Sequence, residues 1–478
     1  MGRFLGIDAS TQSLTALVME DTTARIEAQV SVNFGRDLPR YGVPNGFTRG
    51  EGGAVLADPL MWLEGLDLCL ERLRERTDMG QIVAIGGAGQ QHGTVYLSAD
   101  GLKRLGHLSL PHVDMAGGFS RPLSPIWMDQ STTHQCREIE AALGGALEVC
   151  RRSGSVAIER FSGPQIRRFA QTEPAAYTET ARVHLVSSFM ASVLAGMDAP
   201  IDRGDGAGMN LLNLETWDWD EPLLAATAAG LRARLPRVVP SDTVLGPVAP
   251  WLVRRHGFSP SAMVVAFTGD NPASLVGMGD CLPHERLISL GTSDTIFGRQ
   301  DTARPDPGGC GHLFGHPLGG TMALQCFVNG SLARERVREA LGMDWEAFSD
   351  AVMAEPAGND GFQLLPFFEP EISPRIPAGV RSLGGPKGGW EHSAASARAC
   401  VEGQILNIRL QSRWIGAAPR CLYLTGGASA NQAIAQTVAD VFQAPVHRIS
   451  STESVAMGGA VLAAMAVGSD VAPLRERL

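Results

Sequence analysis

Lysine is nearly absent from this chain of 478 residues, whose basic residues are almost all arginine; its two lysines are Lys103 and Lys387. Neither lies in a G-x-x-x-x-G-K-S/T motif, and neither follows a strand of the V-A-I-K type. P-loop NTPases, protein kinases and pyridoxal phosphate enzymes depend on a catalytic lysine, so the sequence fits these classes poorly. If the chain binds phosphates, it must use backbone amides, hydroxyl groups and a metal ion.

Long apolar runs and a basic surface are also missing. No stretch approaches the roughly 20 apolar residues of a membrane helix, and Asp8 interrupts the first apolar run too early for a signal peptide. The 40 Lys plus Arg against 50 Asp plus Glu give a formal charge of −10, which argues against a nucleic-acid partner. The eight cysteines include no C-x-x-C pair, so the usual zinc and dithiol signatures are absent. We expect a cytoplasmic protein without membrane or nucleic-acid partners, either a monomer or a homodimer.

Apolar residues are plentiful, with 44% hydrophobic against 19% charged residues, which indicates a folded globular protein. The length exceeds what one hydrophobic core usually organises, so two large domains are the simplest division. Strand and helix patterns alternate along the chain, which predicts an α/β fold. A stretch rich in Pro and Gly at 241–250 interrupts the pattern, and we place the domain boundary there, between 1–247 and 248–478.

The two predicted domains begin with the same short pattern. An apolar strand runs into glycine and a tight turn of small polar residues, and then doubles back, at 6–13 and again at 291–295. Such a turn can cup a phosphate through successive backbone N–H groups without any lysine. Each turn alone can also be an ordinary hairpin with local side-chain hydrogen bonds. Taken together, the two turns favour a phosphate site that includes Ser10, Thr11, Thr292 and Ser293.

Two carboxylates follow predicted strands and are candidates for phosphoryl-transfer chemistry. Asp8 lies at the end of the first strand, where it could hold Mg²⁺ through water. Asp270 follows the apolar strand at 262–268, and a carboxylate there could act as general base toward a hydroxyl group. The ordinary alternative is that Asp270 and Asn271 form an N-cap or Asx turn before a helix at 272–277.

Further polar residues suggest a ligand with several hydroxyl groups. Gln90, Gln91 and His92 follow the short strand at 81–85 and offer three adjacent polar side chains, although a lone histidine is more often structural. Trp127 is expected to pack, and Asp129 could accept a hydrogen bond from a sugar. At 425–431 a strand ends in a glycine turn before a helix, which is a natural edge for a nucleotide.

These residues carry a resemblance that covers almost the whole chain. The sequence resembles the FGGY family of carbohydrate kinases in GIDASTQS at 6–13, GAGQQHG at 87–93, PIWMDQSTTHQCREIEAALGG at 125–145, ERFSGPQIRRFAQTEPAAY at 159–177, LVSSFMASVLAG at 185–196, PIDRGDGAGMNLL at 200–212, VVAFTGDNPASLVGMG at 264–279, SLGTSDTIF at 289–297, CFVNGSLARE at 326–335 and TGGASANQAIAQTVADVFQAPV at 425–446.

The resemblance implies two actin-like, ribonuclease H-like domains with a cleft between them, a sugar-binding one at 1–247 and a nucleotide-binding one at 248–478. It implies ATP and Mg²⁺ as cofactors and a ketopentose as substrate, with another ketose or a polyol such as ribulose or glycerol as the alternative. A noncatalytic sugar-binding protein on the same scaffold is the non-enzyme alternative. The resemblance also implies roles for the residues that match the family's motifs. The sugar-binding residues are His92, Arg160, Asp270 and Asn271, and Asp270 is also the catalytic base. The nucleotide-binding residues are Trp345, Gly427, Ala428 and Asn431, and Asp8 is the residue associated with the metal.

Overall fold

The computed structural model describes residues 2–449 and 453–471. The strands are β1 (Arg3–Ala9), β2 (Ser13–Glu20), β3 (Ile26–Asn33), β4 (Thr48–Arg49), β5 (Val55–Ala57), β6 (Ile82–Gly89), β7 (Thr94–Ser98), β8 (Phe119–Arg121), β9 (Ser124–Pro125), β10 (Thr180–Leu185), β11 (Ile201–Asp202), β12 (Val238–Val239), β13 (Val244–Pro247), β14 (Met263–Val265), β15 (Thr268–Gly269), β16 (Glu285–Leu290), β17 (Asp294–Gln300), β18 (His312–Gly315), β19 (Thr321–Phe327), β20 (Gln363–Phe367), β21 (Glu371–Ile372), β22 (Arg375–Ile376), β23 (Gly379–Leu383), β24 (Cys421–Thr425) and β25 (Val446–Arg448).

The α-helices are α1 (Phe34–Asp37), α2 (Pro59–Arg74), α3 (Ala99–Arg104), α4 (Pro111–Asp114), α5 (Thr133–Leu143), α6 (Ala146–Ser153), α7 (Ser162–Thr172), α8 (Pro174–Glu179), α9 (Val186–Ala195), α10 (Arg203–Ala207), α11 (Glu221–Thr227), α12 (Leu231–Arg234), α13 (Pro250–His256), α14 (Asp270–Gly277), α15 (Ser331–Ala340), α16 (Trp345–Ala354), α17 (Ala395–Gln411), α18 (Gln432–Phe442) and α19 (Ser454–Ala466).

The chain divides into two compact units, and α19 belongs to the first of them. The first unit takes the described residues of 1–280, 314–320 and 452–478, and the second takes those of 281–313 and 321–451. The predicted boundary after residue 247 is wrong, because β14 and β15 pair with β6 and so complete the sheet of the first unit. The stretch at 241–250 is not a linker: it contains β13, which pairs antiparallel with β14.

The main sheet of the first unit has the strand order β13-β14-β6-β1-β2-β3, with β15 also paired to β6. Its two faces contribute to different hydrophobic clusters. On β1, Leu5 and Ile7 belong to the cluster that contains α2 and α9, and Phe4 belongs to the cluster that contains α19. Because both faces are covered, the strand is a continuous apolar run and does not alternate with polar residues.

Helix α19 lies directly on the backbone of the two central strands. A Cβ atom added at Gly6 would lie 1.8 Å from the carbonyl oxygen of Ala456, and one added at Gly86 would lie 2.3 Å from that of Gly459. Both strand positions therefore need glycine for packing, not for a turn.

The main sheet of the second unit has the order β18-β19-β17-β16-β24-β25. Its opening strand β16 pairs antiparallel with β17 and parallel with β24. In the first unit, β1 likewise pairs antiparallel with β2 and parallel with β6. The repeated pattern predicted from the sequence is thus a repeated strand arrangement, with one tight turn at the head of each sheet.

Candidate functional site

The first group of candidate residues lies where three neighbouring strands end. Strand β1 pairs in parallel with β6 so that Asp8 lies opposite Ala88, and β15 pairs with β6 so that Gly269 lies opposite Gly89. The residues that follow these pairs emerge at the same edge of the sheet, because parallel strands end together. Asp8, Gln91 and Asp270 are therefore brought to one edge from positions far apart in the sequence.

Asp8 is a carboxylate with one oxygen left unpaired. The Ser10 hydroxyl donates a hydrogen bond of 2.6 Å to Oδ2, and Oδ1 is buried with no hydrogen-bond partner among the described residues. Burial raises the pKa of Asp8 to about 7; the Ser10 bond opposes this, and the charges of Asp270 and Glu453 add to it. A cation at Oδ1 would supply the missing partner and favour the ionised form.

Asp270 is the first residue of α14, and Gly269 occupies the N-cap position. The ordinary alternative of a cap formed by Asp270 and Asn271 does not hold, since both residues lie inside the helix. The backbone N–H and Nδ2 of Asn271 both donate to Asp270 Oδ1, at 2.8 and 3.2 Å. Burial raises the pKa of Asp270 to about 6, and hydrogen bonds from Asn271 and the Gln91 backbone limit the rise. The carboxylate is thus ionised near neutral pH and basic enough to accept a proton.

Gln91 holds Asn271 from the other side. Its Oε1 accepts a hydrogen bond of 2.9 Å from Asn271 Nδ2, and the side chain is 2% exposed. A Cβ atom at Gly269 would lie 2.5 Å from Gln91 Cγ, so glycine makes room for this side chain. The sequence suggested that Gln91 faces a ligand, but the structure places its amide oxygen on Asn271.

His92 is a neutral histidine with a defined tautomer. Its Nδ1 lies 2.8 Å from the carbonyl oxygen of Gly208, which can only accept, so Nδ1 carries the proton. Burial lowers the pKa of His92, and the charge of Arg160 adds to this effect, so that the pKa is about 3. Nε2 is consequently an acceptor, suited to a hydroxyl group of a ligand.

Arg160 lines a polar pocket of about 500 Å³ within the first unit, together with Trp127 and Glu159. The Trp127 indole N–H donates a hydrogen bond of 2.8 Å to the Thr11 hydroxyl, which in turn donates to Gln90 at 3.2 Å. The first predicted phosphate turn is therefore tied by hydrogen bonds to a residue of this pocket.

Asp129 lines the same polar pocket as Arg160, but neighbouring residues already bind its two carboxylate oxygens. It is fully buried and accepts hydrogen bonds from the backbone of Val55 at 2.9 Å, the backbone and hydroxyl of Ser131, and Gln165 Nε2 at 2.7 Å. These contacts occupy its two oxygens and join the segment at 125–132 to neighbouring parts of the unit.

The second group of candidate residues lies in the second unit, beyond the end of β24. Gly426 has a φ of 86°, and a Cβ atom there would lie 2.6 Å from the Leu290 carbonyl oxygen. Gly427 and Ala428 begin a short 3₁₀ turn, and Asn431 caps α18 by accepting from the backbone of Ala433 and Ile434, at 3.0 and 3.2 Å. The predicted strand, glycine turn and helix are all present.

A short chain of hydrogen bonds links Trp345 to Asn431 at this edge. Asn431 Nδ2 donates to the Ser349 hydroxyl at 2.7 Å, and that hydroxyl donates to the Trp345 carbonyl oxygen at 2.7 Å. The Trp345 side chain is 43% exposed. Thr292 and Ser293 are exposed in the turn between β16 and β17, and β16 runs beside β24 with Ser289 opposite Thr425. All six nucleotide candidates of this unit are thus grouped around one sheet edge and α16.

Asp205, which is fully buried in α10, is a further carboxylate that no motif in the sequence indicated. The Ser187 hydroxyl donates to its Oδ2 at 2.5 Å, and its Oδ1 has no partner among the described residues. Burial raises the pKa of Asp205 well above its ordinary value, and the charges of Asp202 and Asp270 contribute. The only signal in the sequence was a second Asp three residues after Asp202, which is a spacing found in many turns.

The chain belongs to the FGGY family of carbohydrate kinases. Residues 119–277 match the N-terminal domain of that family and residues 287–467 match the C-terminal domain. It is a carbohydrate kinase of the α/β class with two actin-like units, as the sequence predicted, and ATP is its phosphoryl donor. The described residues include no helix long and apolar enough to cross a membrane.

Individual relatives agree with this assignment. The chain is 41% identical to a protein named xylulose kinase from Rattus norvegicus, over 98% of this chain and 89% of the relative. It is 38% identical to xylulose kinase 2 of Arabidopsis thaliana, over 96% of this chain and 86% of the relative. The crystal structure of xylulose kinase from Rhodospirillum rubrum has the same fold, with a TM-score of 0.83 at 21% identity, over 99% of this chain and 92% of that one.

Proposed function

We propose that the protein is a D-xylulose kinase, which transfers the γ-phosphoryl group of ATP to the terminal hydroxyl of D-xylulose and forms D-xylulose 5-phosphate and ADP. The observation that carries this proposal is the 41% identity to a xylulose kinase over 98% of the chain. Asp8 and Asp270 form no ion pair with arginine among the described residues, and these carboxylates support a catalytic protein over a noncatalytic sugar-binding one.

In the proposed reaction Asp270 is the general base. Its carboxylate takes the proton of the sugar hydroxyl while the hydroxyl oxygen forms a bond to the γ-phosphorus, and the bond from that phosphorus to the β,γ-bridging oxygen breaks to release ADP. Asn271 fixes Oδ1 of the base through two hydrogen bonds, at 2.8 and 3.2 Å.

His92, Arg160 and Asn271 are proposed to bind the sugar together with the base. Since His92 presents Nε2 as an acceptor, it suits a sugar hydroxyl that donates a hydrogen bond. Arg160 supplies only donors, so it suits a hydroxyl or carbonyl oxygen that accepts. A ketose, which has both kinds of group, matches this pair.

The nucleotide is proposed to bind to the second unit at Gly427, Ala428, Asn431 and Trp345, with its phosphates at the hydroxyl-rich turn of Thr292 and Ser293. Ser10 and Thr11 are the phosphate-binding candidates of the first unit. The open space beside Gly427 and the exposed indole of Trp345 are consistent with a flat adenine ring lying against them. We accordingly assign sugar binding to the first unit, extended to include Asp270 and Asn271, and nucleotide binding to the second.

Asp8 is proposed as the residue associated with Mg²⁺. The described residues contain no group of three or more His, Cys, Asp or Glu that could hold a metal ion, which suits a cation held mainly by water and nucleotide phosphates. The buried, unpartnered Oδ1 of Asp8 fits such a cation. When bound, Mg²⁺ would neutralise charge on the phosphates.

A coupled ADP-release assay across ketoses and polyols tests the proposal. D-xylulose should give the highest kcat/KM among D-xylulose, D-ribulose, L-ribulose and glycerol, and turnover should require a divalent cation. A higher kcat/KM for ribulose or glycerol would assign the enzyme to another sugar. Binding of D-xylulose without any ATP turnover would instead support a noncatalytic sugar-binding protein.

A further inference from the structure

A cavity rich in arginine lies in the second unit. It has a volume of about 220 Å³, and its lining includes Arg286, Arg409, Ser412, Arg413, Gly416 and Phe442. Because ligand pockets for drug-sized molecules span about 300–1,000 Å³, this cavity suits a smaller molecule than a nucleotide.

Arg286 is a buried cation without an acidic partner. Its side chain donates to the carbonyl oxygens of Pro283, Glu285 and Ala417, at 3.0, 2.6 and 3.1 Å, and the residue is 2% exposed. In the described part of the chain no carboxylate forms an ion pair with it. Burial lowers the pKa of the Arg286 guanidinium, and the charge of Arg304 lowers it further. Carbonyl groups satisfy part of its hydrogen bonding but leave a full positive charge uncompensated.

Three more guanidinium groups contribute to the same region. A Cβ atom at Gly416 would lie 3.4 Å from Nη2 of Arg286 and 3.5 Å from Nη2 of Arg304, so these two cations approach one point. Arg409 donates to the Val441 carbonyl oxygen, and Arg413 is exposed. Within residues 2–449 and 453–471, none of the four is in an ion pair with Asp or Glu. Four uncompensated cations in a chain of formal charge −10 repel one another, and a bound anion would relieve that repulsion.

The cavity lies at the opposite end of the sheet from the nucleotide candidates. Arg286 is near the start of β16, and the segment before β24 completes the lining, whereas the turns at 291–293 and 426–428 follow the ends of these strands. The five residues of β24 span about 16 Å at roughly 3.3 Å per residue. A ligand in the cavity is therefore well separated from that edge.

We propose that this cavity binds a phosphate group, either as inorganic phosphate or as the phosphate ester of a small metabolite. The guanidinium group presents a planar set of donors that matches phosphate oxygens, and the charge-assisted bonds are stronger than those between neutral groups. Such a site goes beyond the proposed kinase reaction, and it would let phosphate or a phosphorylated metabolite bind the enzyme independently of the two substrates.

Isothermal titration calorimetry tests the proposal, with inorganic phosphate and, separately, D-ribose 5-phosphate titrated into the full-length enzyme in the presence of saturating ADP. The variants are Arg413→Gln and Arg413→Glu, because this exposed side chain can be changed without disturbing the fold. Arg381→Gln, an exposed arginine on β23 of the same unit, is the control that removes the same charge elsewhere.

We expect phosphate affinity to fall at least about tenfold in Arg413→Gln, to be lost in Arg413→Glu and to stay unchanged in Arg381→Gln. In the absence of phosphate the kcat of all three should equal that of the wild type, which separates this site from the proposed function. If binding depends on Arg413 and is tighter for D-ribose 5-phosphate than for inorganic phosphate, the ligand is a phosphate ester. If the two affinities are equal, the ligand is free phosphate. No binding to the wild type, or equal binding by wild type and Arg413→Glu, would overturn the proposal.

Discussion

The turns at the head of the two sheets share a strand arrangement, but the carboxylates beside them differ in their bonding partners. Asp8, at the end of β1, has one unpaired buried oxygen and a pKa raised to about 7 by burial. Asp294, at the start of β17, forms a bidentate ion pair with Arg334, at 2.8 and 2.9 Å, and both side chains are fully buried. Ser331 and Gln404 also contact the guanidinium group, at 2.9 and 3.1 Å.

This difference separates a carboxylate available for chemistry from one that holds the fold. Burial of the Arg334 guanidinium lowers its pKa, but the charge and hydrogen bonds of Asp294 more than offset this effect, so the pKa of Arg334 is raised. Burial still outweighs the ion pair at Asp294, whose pKa is raised although Arg334 lowers it, so the two turns differ in whether the carboxylate has a partner and not in the direction of its pKa. At the edge of the first unit, Asp8 and Asp270 have no arginine partner among the described residues, and the charge of Asp270 raises the pKa of Asp8. A bound cation or a proton taken from the substrate would relieve the repulsion between the two carboxylates.

The largest expected effect is on catalysis at the unpaired edge. Asp270→Asn removes the proposed base but keeps the shape and the hydrogen bonds around it, so kcat should fall by about two to four orders of magnitude. The KM for D-xylulose and the thermal midpoint should stay close to wild type. The ADP-release assay measures the first two quantities, and a near-wild-type kcat would remove Asp270 from the mechanism.

At the paired turn, the same logic predicts a loss of stability. Arg334→Leu leaves Asp294 buried without a counter-charge, which should lower the free energy of unfolding of the second unit by about 3–5 kcal/mol. Removing the exposed pair between Arg336 and Glu369 by Arg336→Leu should cost only about 0–1 kcal/mol. Urea denaturation measures both.

The double variant Arg334→Leu with Asp294→Leu sharpens this test, because it removes both charges together. It should recover most of the stability that Arg334→Leu loses. If the double variant is no more stable than the single one, the loss comes from packing and the ion pair is not its cause.

Two adjacent glycines at the nucleotide edge should respond differently to the same change. Gly427→Val adds bulk where no atom of the described residues lies within 4 Å, so it should raise the KM for ATP about tenfold while the thermal midpoint and the KM for D-xylulose stay unchanged. Gly426→Val forces a side chain into a left-handed conformation against the Leu290 carbonyl, so it should lower the thermal midpoint. Equal effects of both variants on stability would contradict this distinction.

A pH-dependent gain in stability is expected when the carboxylate of the first turn is removed. The pKa of Asp8 is raised in the folded state, from 3.8 to about 7, so its contribution favours folding at low pH and is lost as the pH rises through that window. Asn at this position does not titrate. Without added divalent cation, Asp8→Asn should match the wild type near pH 4 and become the more stable protein above pH 7, as measured by thermal midpoints. A difference that does not vary with pH would contradict the raised pKa.

Local patterns in the sequence predicted the elements that carry the site. The strands expected to run into the turns at 6–13 and 291–295 are β1 and β16, and the strands that return from them are β2 and β17. The strand and helix expected on either side of 425–431 are β24 and α18. These predictions are confirmed because apolar runs, tight polar turns and helix caps act over a few neighbouring residues. The roles of individual site residues remain predictions that the proposed variants test.

Contacts between distant segments could not be inferred in the same way. The sequence gives no sign that α19 packs on Gly6 and Gly86, or that β14 and β15 complete the first sheet, since both depend on which strands become neighbours. This is why the predicted boundary at 247 failed and Asp270 was assigned to the wrong unit.

The composition, the turns and the family motifs by themselves determined a two-unit α/β carbohydrate kinase and its candidate residues. Only the tertiary structure decided which carboxylates are paired: it placed Arg334 on Asp294, Asn271 and Gln91 beside Asp270, and nothing described on Oδ1 of Asp8. The physical reason is that a carboxylate's pKa and reactivity depend on burial and on charges a few ångströms away, which residues distant in the sequence supply.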